Sequence, residues 1–556
     1  MSENTGAQTA ATQTMTGGDA IVQALIDHGV DTVFALPGVQ TYPVMDALAR
    51  NADKIRTYGA RHEQATAYMA FGYAQATGKA GVYSVVPGPG VLNTMGALCT
   101  AWGTNMPVLC ITGQVPSAYL EGGRGHLHEI PDQRGTVSRL CKYTARVEKP
   151  EDAPRIIAEA FQAMRSGRPG PALVEMCWDD MAAEGQVTPI APLPLDPLPD
   201  IDADAIAKAA DLLRKAERPM IMVGSGARHA QAEVIALAEK LNAPVTAFRG
   251  GRGIVPADHP LAMSSYAAWQ LWEETDCLIG IGTRLEMIYM RWMGMNSRVV
   301  EPEAPPHLIR IDIDPVEMTR LVPHVPVVAD SQEGTAALLQ ALERGAQPAS
   351  KDLGRLDRAR ATASQAIAAV QPHVGFLEAI RRALPREGLF AEELTQAGYA
   401  SFFAWDVFAP RSYITCGFQG NLGYGFMTSL GVKVGRPDVP VLAVTGDGGF
   451  LYGASELSTA VKERIPLITV LFNNNAYGNV RRDQQTVFGR TIASDFANPD
   501  FEVLAKAYGV AYRRATNAVE LEEAVRAALP NTGPTLIEVP VDLSTEVNPW
   551  PYILRR

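Results

Sequence analysis

The sequence predicts an α/β protein with three successive doubly wound parallel-sheet domains, and three observations support this prediction. The chain has 556 residues, too many for a single compact core. Short apolar runs typical of buried strands alternate with helical stretches, which is the pattern of a parallel sheet covered on both faces. Proline-rich or helical connectors divide this alternation into three blocks.

The first block opens on a predicted helix over 19–29, where apolar residues recur with helical spacing. A buried strand follows over 32–36 and ends at Pro37-Gly38. Further strands are predicted over 81–86, 108–112 and 172–176 in the first block, 220–223, 277–281 and 308–313 in the second, and 413–416, 441–445 and 467–472 in the third. The predicted divisions are a disordered tail at 1–15, a first domain at 16–187, a linker at 188–201, a second domain at 202–345, a linker at 346–372, a third domain at 373–548 and a C-terminal tail at 549–556.

Composition and charge favour a small-molecule partner. A formal net charge of −11 opposes a general affinity for nucleic acid or an anionic membrane, both of which need a basic surface. The six cysteines lack CxxC spacing, so they are interpreted as buried thiols of a reducing compartment. The N-terminus lacks the basic and apolar blocks of a secretory signal, and no run of about 18 apolar residues occurs. We therefore expect a cytoplasmic protein that binds neither nucleic acid nor membrane.

Two polar clusters in the third block carry the clearest chemistry. Gly446-Asp447-Gly448-Gly449 follows one predicted strand, and Asn473-Asn474-Asn475-Ala476-Tyr477-Gly478 follows the next. Both clusters are expected at the carboxyl edge of one sheet, where open α/β sheets bind ligands. A carboxylate and an amide oxygen there suit Mg²⁺, glycines let backbone amides approach a diphosphate, and the helix starting near Ser455 offers its positive end. The alternative is a pair of ordinary strand-ending turns, since Gly-Asp-Gly alone is common.

This pair of clusters resembles the signature of the thiamine diphosphate (ThDP)-dependent 2-oxo acid decarboxylase and acetohydroxyacid synthase superfamily. In that signature GDG is followed by a helix, a strand and NN. The resemblance extends from Thr16 to Pro549. It implies that Asp447, Asn474 and the carbonyl of Ala476 are the Mg²⁺ ligands. The three blocks would then be a pyrimidine-binding, a central and a diphosphate-binding domain.

Glu63 occupies the position of the family's activating glutamate. Such a carboxylate, hydrogen-bonded to a ring nitrogen of the cofactor's pyrimidine, favours the imino form that deprotonates the thiazolium carbon. On its own, the residue is equally typical of a solvated glutamate at a helix N-terminus.

Other loops resemble the walls of the family's cofactor site. Gly420 resembles the residue whose carbonyl accepts from the pyrimidine amino group, and Leu422 resembles the apolar wedge that bends the cofactor. The resemblance implies the cofactor-binding residues Gly38, Pro87, Asn93, Thr395, Gln396, Gly420, Leu422, Gly446, Gly448, Gly449, Tyr477 and Gly478, and the catalytic candidates Glu63, Gln114 and His128. His126 and His128 lie in a glycine-bounded loop as candidate proton shuttles, and a pair of exposed loop histidines is the alternative.

Within the superfamily the acetohydroxyacid (acetolactate) synthases give the nearest overall resemblance. Gly113-Gln-Val-Pro116 matches that group, and Leu127-His128-Glu129 stands where it has Phe-Gln-Glu. Asp483 replaces the synthase tryptophan that favours 2-oxobutanoate as acceptor, which argues against branched-chain amino acid biosynthesis. We expect Asp483 to pair with Arg481 or Arg482, or to bind a substrate hydroxyl.

Two opposing observations leave open whether the central domain binds FAD. Val223-Gly-Ser-Gly226 and Ile281-Gly-Thr-Arg284 resemble the FAD-binding loops of the synthases. Against this, Leu285-Glu286-Met287 stands where those enzymes carry Phe-Asp-Asp, and short Gly-x-Gly fragments are weak evidence for a dinucleotide.

The resemblance implies a ThDP- and Mg²⁺-dependent carboligase or lyase that acts on 2-oxo acids, most similar to an acetolactate synthase. The alternative is a 2-oxo acid decarboxylase, or a ThDP-dependent lyase or hydrolase of a 1,2-dicarbonyl compound. Glu63, Asp447 and Asn474 together disfavour a catalytically inactive binding module. In the family the catalytic parts meet across a subunit interface, so a homodimer or homotetramer is expected.

Overall fold

A computed structural model describes residues 11–286, 305–343 and 352–554 of the chain. By its internal contacts the chain separates into two compact units, Met1–Pro197 and Leu198–Arg556. The division falls inside the proline-rich segment that the sequence predicts as a linker. Among the described residues, no helix is long and apolar enough to cross a membrane.

The first unit contains a six-stranded sheet in which all strands run parallel. The strands of this unit are β1 (Gln13–Thr16), β2 (Thr32–Ala35), β3 (Arg56–Gly59), β4 (Gly81–Val85), β5 (Val108–Gln114), β6 (Tyr143–Val147), β7 (Ala172–Cys177) and β8 (Glu184–Val187). Strands β2 to β7 form the sheet in the order β3-β2-β4-β5-β7-β6. Strands β1 and β8 form a separate antiparallel pair.

Helices of the first unit cover this sheet with small and apolar side chains. They are α1 (Gly17–Asp27), α2 (Tyr42–Arg50), α3 (Glu63–Thr77), α4 (Pro89–Asn93), α5 (Met95–Thr104), α6 (Gln133–Val137), α7 (Ala153–Arg165) and α8 (Trp178–Ala182), with 3-10 turns at Val39–Thr41, Ser117–Tyr119 and Pro150–Asp152. Helix α1 starts after Thr16, whose side chain accepts from the backbone N–H of Asp19 as an N-cap. Helix α3 is buried from Ala65 to Ala76, and its many alanines allow this close packing.

The second unit contains two six-stranded sheets, again with all strands parallel. The first has β9 (Pro219–Val223), β10 (Val245–Ala247), β11 (Ala262–Met263), β12 (Cys277–Ile281), β13 (His307–Asp312) and β14 (Val325–Val328), and the second has β15 (Leu389–Ala391), β16 (Tyr413–Ile414), β17 (Val441–Gly446), β18 (Leu467–Asn473), β19 (Ala511–Arg514) and β20 (Thr535–Pro540). Their orders are β11-β10-β9-β12-β13-β14 and β16-β15-β17-β18-β20-β19. The three parallel sheets confirm the predicted α/β fold class.

One continuous apolar core joins the two sheets of the second unit and their helices. The helices are α9 (Ala203–Lys215), α10 (Gln231–Leu241), α11 (Ser265–Trp269), α12 (Ser331–Glu343), α13 (Gly354–Ile367), α14 (His373–Ala383), α15 (Gln396–Ala404), α16 (Tyr424–Gly435), α17 (Asp447–Phe450), α18 (Leu457–Lys462), α19 (Gly478–Phe488), α20 (Phe501–Tyr508) and α21 (Ala518–Ala528). Short 3-10 turns occur at Ser225–Ala227, Arg249–Gly251, Trp272–Glu274, Pro315–Thr319, Gly417–Gln419, Ala454–Glu456 and Trp550–Tyr552.

Residues 13–15 and 550–553, which the sequence assigns to the two tails, form regular structure or contribute to the core. Residues 13–15, predicted as tail, lie in β1 because their backbone pairs with β8. The predicted C-terminal tail contains the turn Trp550–Tyr552 and the buried side chain of Ile553. Backbone pairing and burial of this kind depend on distant residues, so the local composition does not reveal them.

Each parallel sheet has a place away from its edges where the chain order reverses, and a ligand crevice is expected there. The reversals lie between β2 and β4, between β9 and β12, and between β15 and β17. The glycine-rich and polar segments identified in the sequence follow these same strands. The fold therefore places the candidate residues at the carboxyl edges where α/β sheets bind ligands.

Candidate cofactor site

Asp447 directly follows β17 and begins the short helix α17. Its side chain is buried, with Oδ1 accepting from the backbone N–H of Gly448 at 2.9 Å. Oδ2 accepts from the backbone N–H of Asn474 at 3.3 Å and from Nδ2 of Asn498 at 2.7 Å. Burial raises the pKa of Asp447, and the hydrogen bonds from Asn498 and Gly448 partly offset that rise. Because these partners are all neutral, a bound cation would stabilise the buried carboxylate.

Asn474 and Ala476 follow β18, the neighbour of β17 in the sheet. The Oδ1 of Asn474 accepts from the backbone N–H of Ala476 at 3.2 Å, and its Nδ2 donates to Glu546 at 3.3 Å. Asn475 has a φ of +54°, a left-handed conformation that asparagine tolerates better than most residues. A carboxylate, an amide oxygen and a backbone carbonyl thus come from two adjacent strand ends. This donor set fits Mg²⁺, which prefers hard oxygen ligands.

A cleft that opens to solvent lies at this edge of the sheet. Every predicted residue of the third domain except Gly420 lines it: Thr395, Gln396, Leu422, Gly446, Asp447, Gly448, Gly449, Asn474, Ala476, Tyr477 and Gly478. Gly448 faces the ring of Tyr477 so closely that a Cβ on it would come within 2.5 Å of the ring. The strand-end pattern therefore brings the predicted residues of the third domain together.

Two sequence expectations in the third domain differ from the structure. Gly420 ends the 3-10 turn Gly417–Gln419 with a φ of +61° and is not among the residues that line the cleft. The segment near Ser455 does not line it either, although the sequence predicts that a helix N-terminus there faces the diphosphate. Instead, the first residues of α19, Gly478 to Val480, line the cleft. An anion in the cleft would therefore meet the positive end of α19, and that of α15, whose first residue Gln396 also lines the cleft.

Glu393 lines the same cleft and was not identified from the sequence. It is 1% exposed and follows β15; its Oε1 accepts from the backbone N–H of Gly423 at 2.6 Å, and its Oε2 accepts from the hydroxyl of Thr445. Burial raises the pKa of Glu393 to about 7. A Cβ on Gly449 would lie 2.4 Å from its Oε1, so this glycine permits the close contact. The signal was available, because two glutamates directly follow an apolar strand at the edge that holds Asp447.

Asp483 lies on α19, one turn beyond the cleft residue Asn479. Its Oδ2 accepts from Nδ2 of Asn479 at 3.2 Å. Burial raises the pKa of Asp483, and the nearby charge of Arg482 offsets part of that rise. Arg482 is 3.2 Å from Glu546, and Arg481 is 2.6 Å from Asp495.

The expected ion pair of Asp483 with Arg481 or Arg482 is not found in the described part of the chain, and the alternative, that Asp483 binds a substrate hydroxyl, stays a prediction. Each arginine meets another carboxylate because α19 turns its neighbouring residues in different directions.

In the first unit, Glu63 begins α3 at the carboxyl edge of the sheet. Its side chain is 16% exposed, and its Oε2 accepts from Nδ2 of Asn93 at 3.1 Å. A Cβ on Gly90 would lie 3.8 Å from Cγ of Glu63, so the loop after β4 contacts the glutamate. The predicted residues Glu63 and Asn93 are thus direct partners.

Gly38 and the loop that contains Pro87 approach each other after β2 and β4. A Cβ on Gly38 would come within 2.2 Å of Val86, and one on Gly88 within 2.3 Å of the carbonyl oxygen of His128. Gly88 also has a φ of +59°, which favours glycine. The histidine loop is therefore packed against the edge that holds Glu63.

His126 and His128 have different surroundings. The ring of His126 stacks on Tyr119 with centroids 4.2 Å apart. His128 has a φ of +68°, and its Nδ1 lies 2.9 Å from Oε1 of Gln40. The two histidines are not equivalent loop residues, and His128 is the one held against a buried polar side chain.

Gln114 ends β5, but its side chain faces a buried polar network. Its Nε2 donates to Glu175 at 3.4 Å, and its Oε1 accepts from the backbone N–H of Val115 at 2.8 Å. Glu175 is fully buried and is also held by Gln133 at 2.8 Å and Arg146 at 2.7 Å. Gln114 thus fixes the sheet edge, and its catalytic role stays a prediction.

The two glycine loops of the central sheet pack against each other. A Cβ on Gly224 would lie 2.3 Å from the carbonyl oxygen of Gly282, and one on Gly282 would lie 2.6 Å from Gly226. Leu285 is buried, and Met287 of the same motif lies outside the described residues. Close packing alone accounts for these glycines.

Comparison with known proteins agrees with this geometry. Models of the thiamine pyrophosphate enzymes match in three parts: the N-terminal TPP binding domain at residues 15–136, the central domain at 206–342 and the C-terminal TPP binding domain at 396–539. A probable 2-ketoarginine decarboxylase of Pseudomonas aeruginosa is 36% identical over 95% of this chain and 94% of its own length.

Two further relatives are acetolactate synthases by name. The isozyme 2 large subunit of Escherichia coli is 34% identical over 97% of both chains. A probable large subunit of Methanocaldococcus jannaschii is 32% identical over 95% of this chain and 92% of its own length. Together with the two glycine-rich sheet edges and the GDG and NN clusters, these matches place the chain in the family of thiamine pyrophosphate enzymes.

Proposed function

We propose that this enzyme uses ThDP and Mg²⁺ to remove CO₂ from a 2-oxo acid whose side chain carries a positive charge. Asp447, Asn474 and the carbonyl of Ala476 would hold Mg²⁺, and Gly448, Gly449 and the start of α19 would receive the diphosphate. When bound, ThDP supplies the stabilised carbanion chemistry that breaks the bond beside a carbonyl. Glu63, fixed by Asn93 at 3.1 Å, is the proposed partner of the pyrimidine ring nitrogen.

The surroundings of Asp483 are the observation that supports a substrate with a positively charged side chain. Its carboxylate is partly buried beside the cleft residue Asn479, while the arginines next to it in sequence meet Glu546 and Asp495. A partly buried carboxylate is stabilised by an added positive charge, and a guanidinium offers two parallel hydrogen bonds to it. The relative named as a probable 2-ketoarginine decarboxylase acts, by its name, on a 2-oxo acid with such a group.

The family resemblance also bears on the domain bounds and on a flavin. The domain bounds 16–187, 202–345 and 373–548 are those we propose for the pyrimidine-binding, central and diphosphate-binding domains. A flavin is not part of the proposal, because the mutual packing of Gly224, Gly226 and Gly282 already accounts for the glycine loops.

Carboligation, as in the acetolactate synthases, is the second candidate. Gly113-Gln-Val-Pro116 and the synthase-named relatives favour it. The organic product from pyruvate separates the two candidates, because carboligation converts two pyruvates to acetolactate and one CO₂, whereas simple decarboxylation converts one pyruvate to acetaldehyde and CO₂.

The test uses matched 2-oxo acids with cationic and neutral side chains. Purified protein with ThDP and Mg²⁺ is given 2-oxo-5-guanidinopentanoate, pyruvate and 4-methyl-2-oxopentanoate, and kcat/KM and products are measured. We expect Asp483→Asn to lower kcat/KM for the guanidino substrate about 10- to 100-fold, the range for loss of a charged hydrogen bond, and to spare the neutral substrates.

Glu502→Gln is the control, because it removes the same charge from an exposed position on α20, away from the residues that line the cleft. Equal preference for the guanidino substrate in wild type and Asp483→Asn would contradict the substrate class. Absence of CO₂ release from every 2-oxo acid would contradict the activity itself.

A further inference from the structure

Gln40 connects the first glycine loop to the histidine loop in the Met1–Pro197 unit. It lies in the 3-10 turn Val39–Thr41 directly after Gly38, and it is 3% exposed. Its Nε2 donates to the backbone carbonyl of Leu127 at 2.8 Å, and its Oε1 lies 2.9 Å from Nδ1 of His128. One buried amide therefore contacts two consecutive residues of a loop that is 87 and 88 positions away in sequence.

The carbonyl of Leu127 fixes which way this amide faces. A backbone carbonyl can only accept a hydrogen bond, so the atom of Gln40 that faces it must be the NH₂ group. The Oε1 of Gln40 must then face His128. Because an amide oxygen can only accept, Nδ1 of His128 must carry the hydrogen. In the neutral ring this leaves Nε2 as the only nitrogen with a free lone pair.

The loop that presents His128 is held by its own contacts as well. Both carboxylate oxygens of Glu129 are used, because Oε1 accepts from the backbone N–H of Gly123 at 2.8 Å and Oε2 from Gly125 at 2.8 Å and His126 at 3.0 Å. The carbonyl of His128 meets Gly88 of the loop after β4. The position of the ring relative to the sheet edge is therefore set by several independent contacts.

We propose that Gln40 is a positioning residue that holds His128 as the Nδ1–H tautomer, so that proton exchange with the reacting molecule passes through Nε2. This inference rests on the proposed function, since it gives His128 a proton-transfer role in the ThDP reaction. It explains why a buried amide stands at position 40, where Gly113 allows the backbone of Gln40 to lie close to the end of β5.

Nitrogen NMR of histidine-labelled protein tests the tautomer without any activity measurement. The chain has nine histidines, and the His128 signals are assigned by their loss in His128→Phe. At a pH above about 8, where an ordinary imidazole is neutral, we expect a protonated Nδ1 and a bare Nε2. Gln40→Leu removes the acceptor and should shift the population towards Nε2–H, while Gln40→Glu keeps an acceptor for Nδ1 and should retain the Nδ1–H form. His126, which stacks on Tyr119, serves as the unchanged reference in the same loop.

Steady-state kinetics with the 2-oxo acid that gives the highest kcat/KM then test whether the tautomer of His128 affects catalysis. We expect Gln40→Leu to lower kcat at least about tenfold with little change in KM, and Gln40→Glu to recover most of it. A wild-type Nε2–H tautomer, or an unchanged tautomer in Gln40→Leu, would overturn the proposal. So would equal kcat in Gln40→Leu and wild type. A protein that is inactive on every 2-oxo acid but shows the expected tautomers would instead refute the proposed function and leave the Gln40 contact established.

Discussion

At the scale of single residues, the candidate site is dominated by carboxylates that are buried among neutral partners. Asp447 and Glu393 are both nearly inaccessible, and burial raises the pKa of each. Such groups cost free energy in the protein without its ligands and gain from a bound cation or hydrogen-bond donors. This arrangement favours an ion or cofactor at the site over a purely structural role.

Glu393 gives the protein a specific dependence of stability on pH. Burial raises its pKa from an ordinary value of 4.5 to about 7, so the folded state binds the proton more tightly than the unfolded state does. The stabilisation is fully present below the unfolded pKa and is lost as pH rises through the folded pKa. Across the window from 4.5 to about 7, the contribution of Glu393 to stability therefore falls with rising pH.

We expect Glu393→Gln to remove this contribution, because the amide stays neutral at every pH. Thermal unfolding of the protein without cofactor, at pH 5 and pH 8, measures it: Tm of the variant relative to wild type should be higher at pH 8 than at pH 5. A difference in Tm that stays constant between the two pH values would show that Glu393 titrates normally.

At the scale of elements, the strand ends and the loops that follow them determine the site. Gly90 and Asn93, which follow β4, contact Glu63, and residues after β15, β17 and β18 line one cleft with Asp447. The loops approach closely because glycines stand at the contact points, and Gly88, which faces the carbonyl oxygen of His128, is one example in the first unit.

Gly88→Ala tests this packing. The added Cβ would meet the carbonyl oxygen of His128 at 2.3 Å, at a residue whose φ is +59°. We expect a loss of about 1 to 3 kcal/mol in the free energy of unfolding, together with reduced turnover, because the histidine loop must move. Chemical denaturation and kinetics measure the two effects. Gly29→Ala is the matched control, since Gly29 also has a left-handed φ of +74° but nothing within 4 Å of an added Cβ. Equal destabilisation of both variants would mean that backbone strain alone, and not the loop contact, explains the effect.

Several long buried strands could be predicted from the sequence, whereas the exposed edge strands β3 and β19 could not, and the buried inner strand β20 was missed. The strands around Val82, Leu109, Val444 and Val470 contain unbroken apolar runs, and their predicted bounds agree with the structure to within two residues. Edge strands such as β3 and β19 are largely exposed and carry arginines, so they lack the apolar pattern.

Side-chain partners were the least predictable part of the site. The pairing of Asp483 depends on the direction in which α19 points each residue, and the contact of Gln40 with His128 joins distant loops. Neither has a local signature, whereas Asp447 and Asn474 could be found because a strand end fixes their position.

At the scale of the whole molecule, the family resemblance predicts that Glu63 and Asp447 act in one site with the two residues coming from different subunits. Each of Glu63→Gln and Asp447→Ala should be inactive alone, the latter because it removes the charged metal ligand and with it Mg²⁺-dependent ThDP binding.

Mixing the two variants tests this arrangement. If subunits exchange in a dimer, one of the two sites in each mixed dimer carries no substitution, and about a quarter of wild-type activity should return. Native mass spectrometry of the mixture establishes that exchange has occurred. A mixture that exchanges but stays inactive would place both residues of a site in the same subunit.

We propose that Glu63 activates bound ThDP in a site that Asp447 anchors. Hydrogen–deuterium exchange at the thiazolium carbon of bound ThDP, measured by quenched flow and NMR, tests it most directly. The wild-type protein should exchange this proton at least about 100-fold faster than Glu63→Gln, while both bind ThDP with similar affinity by calorimetry. Equal exchange rates in two proteins that both bind ThDP would contradict the role of Glu63 as the residue that activates the cofactor.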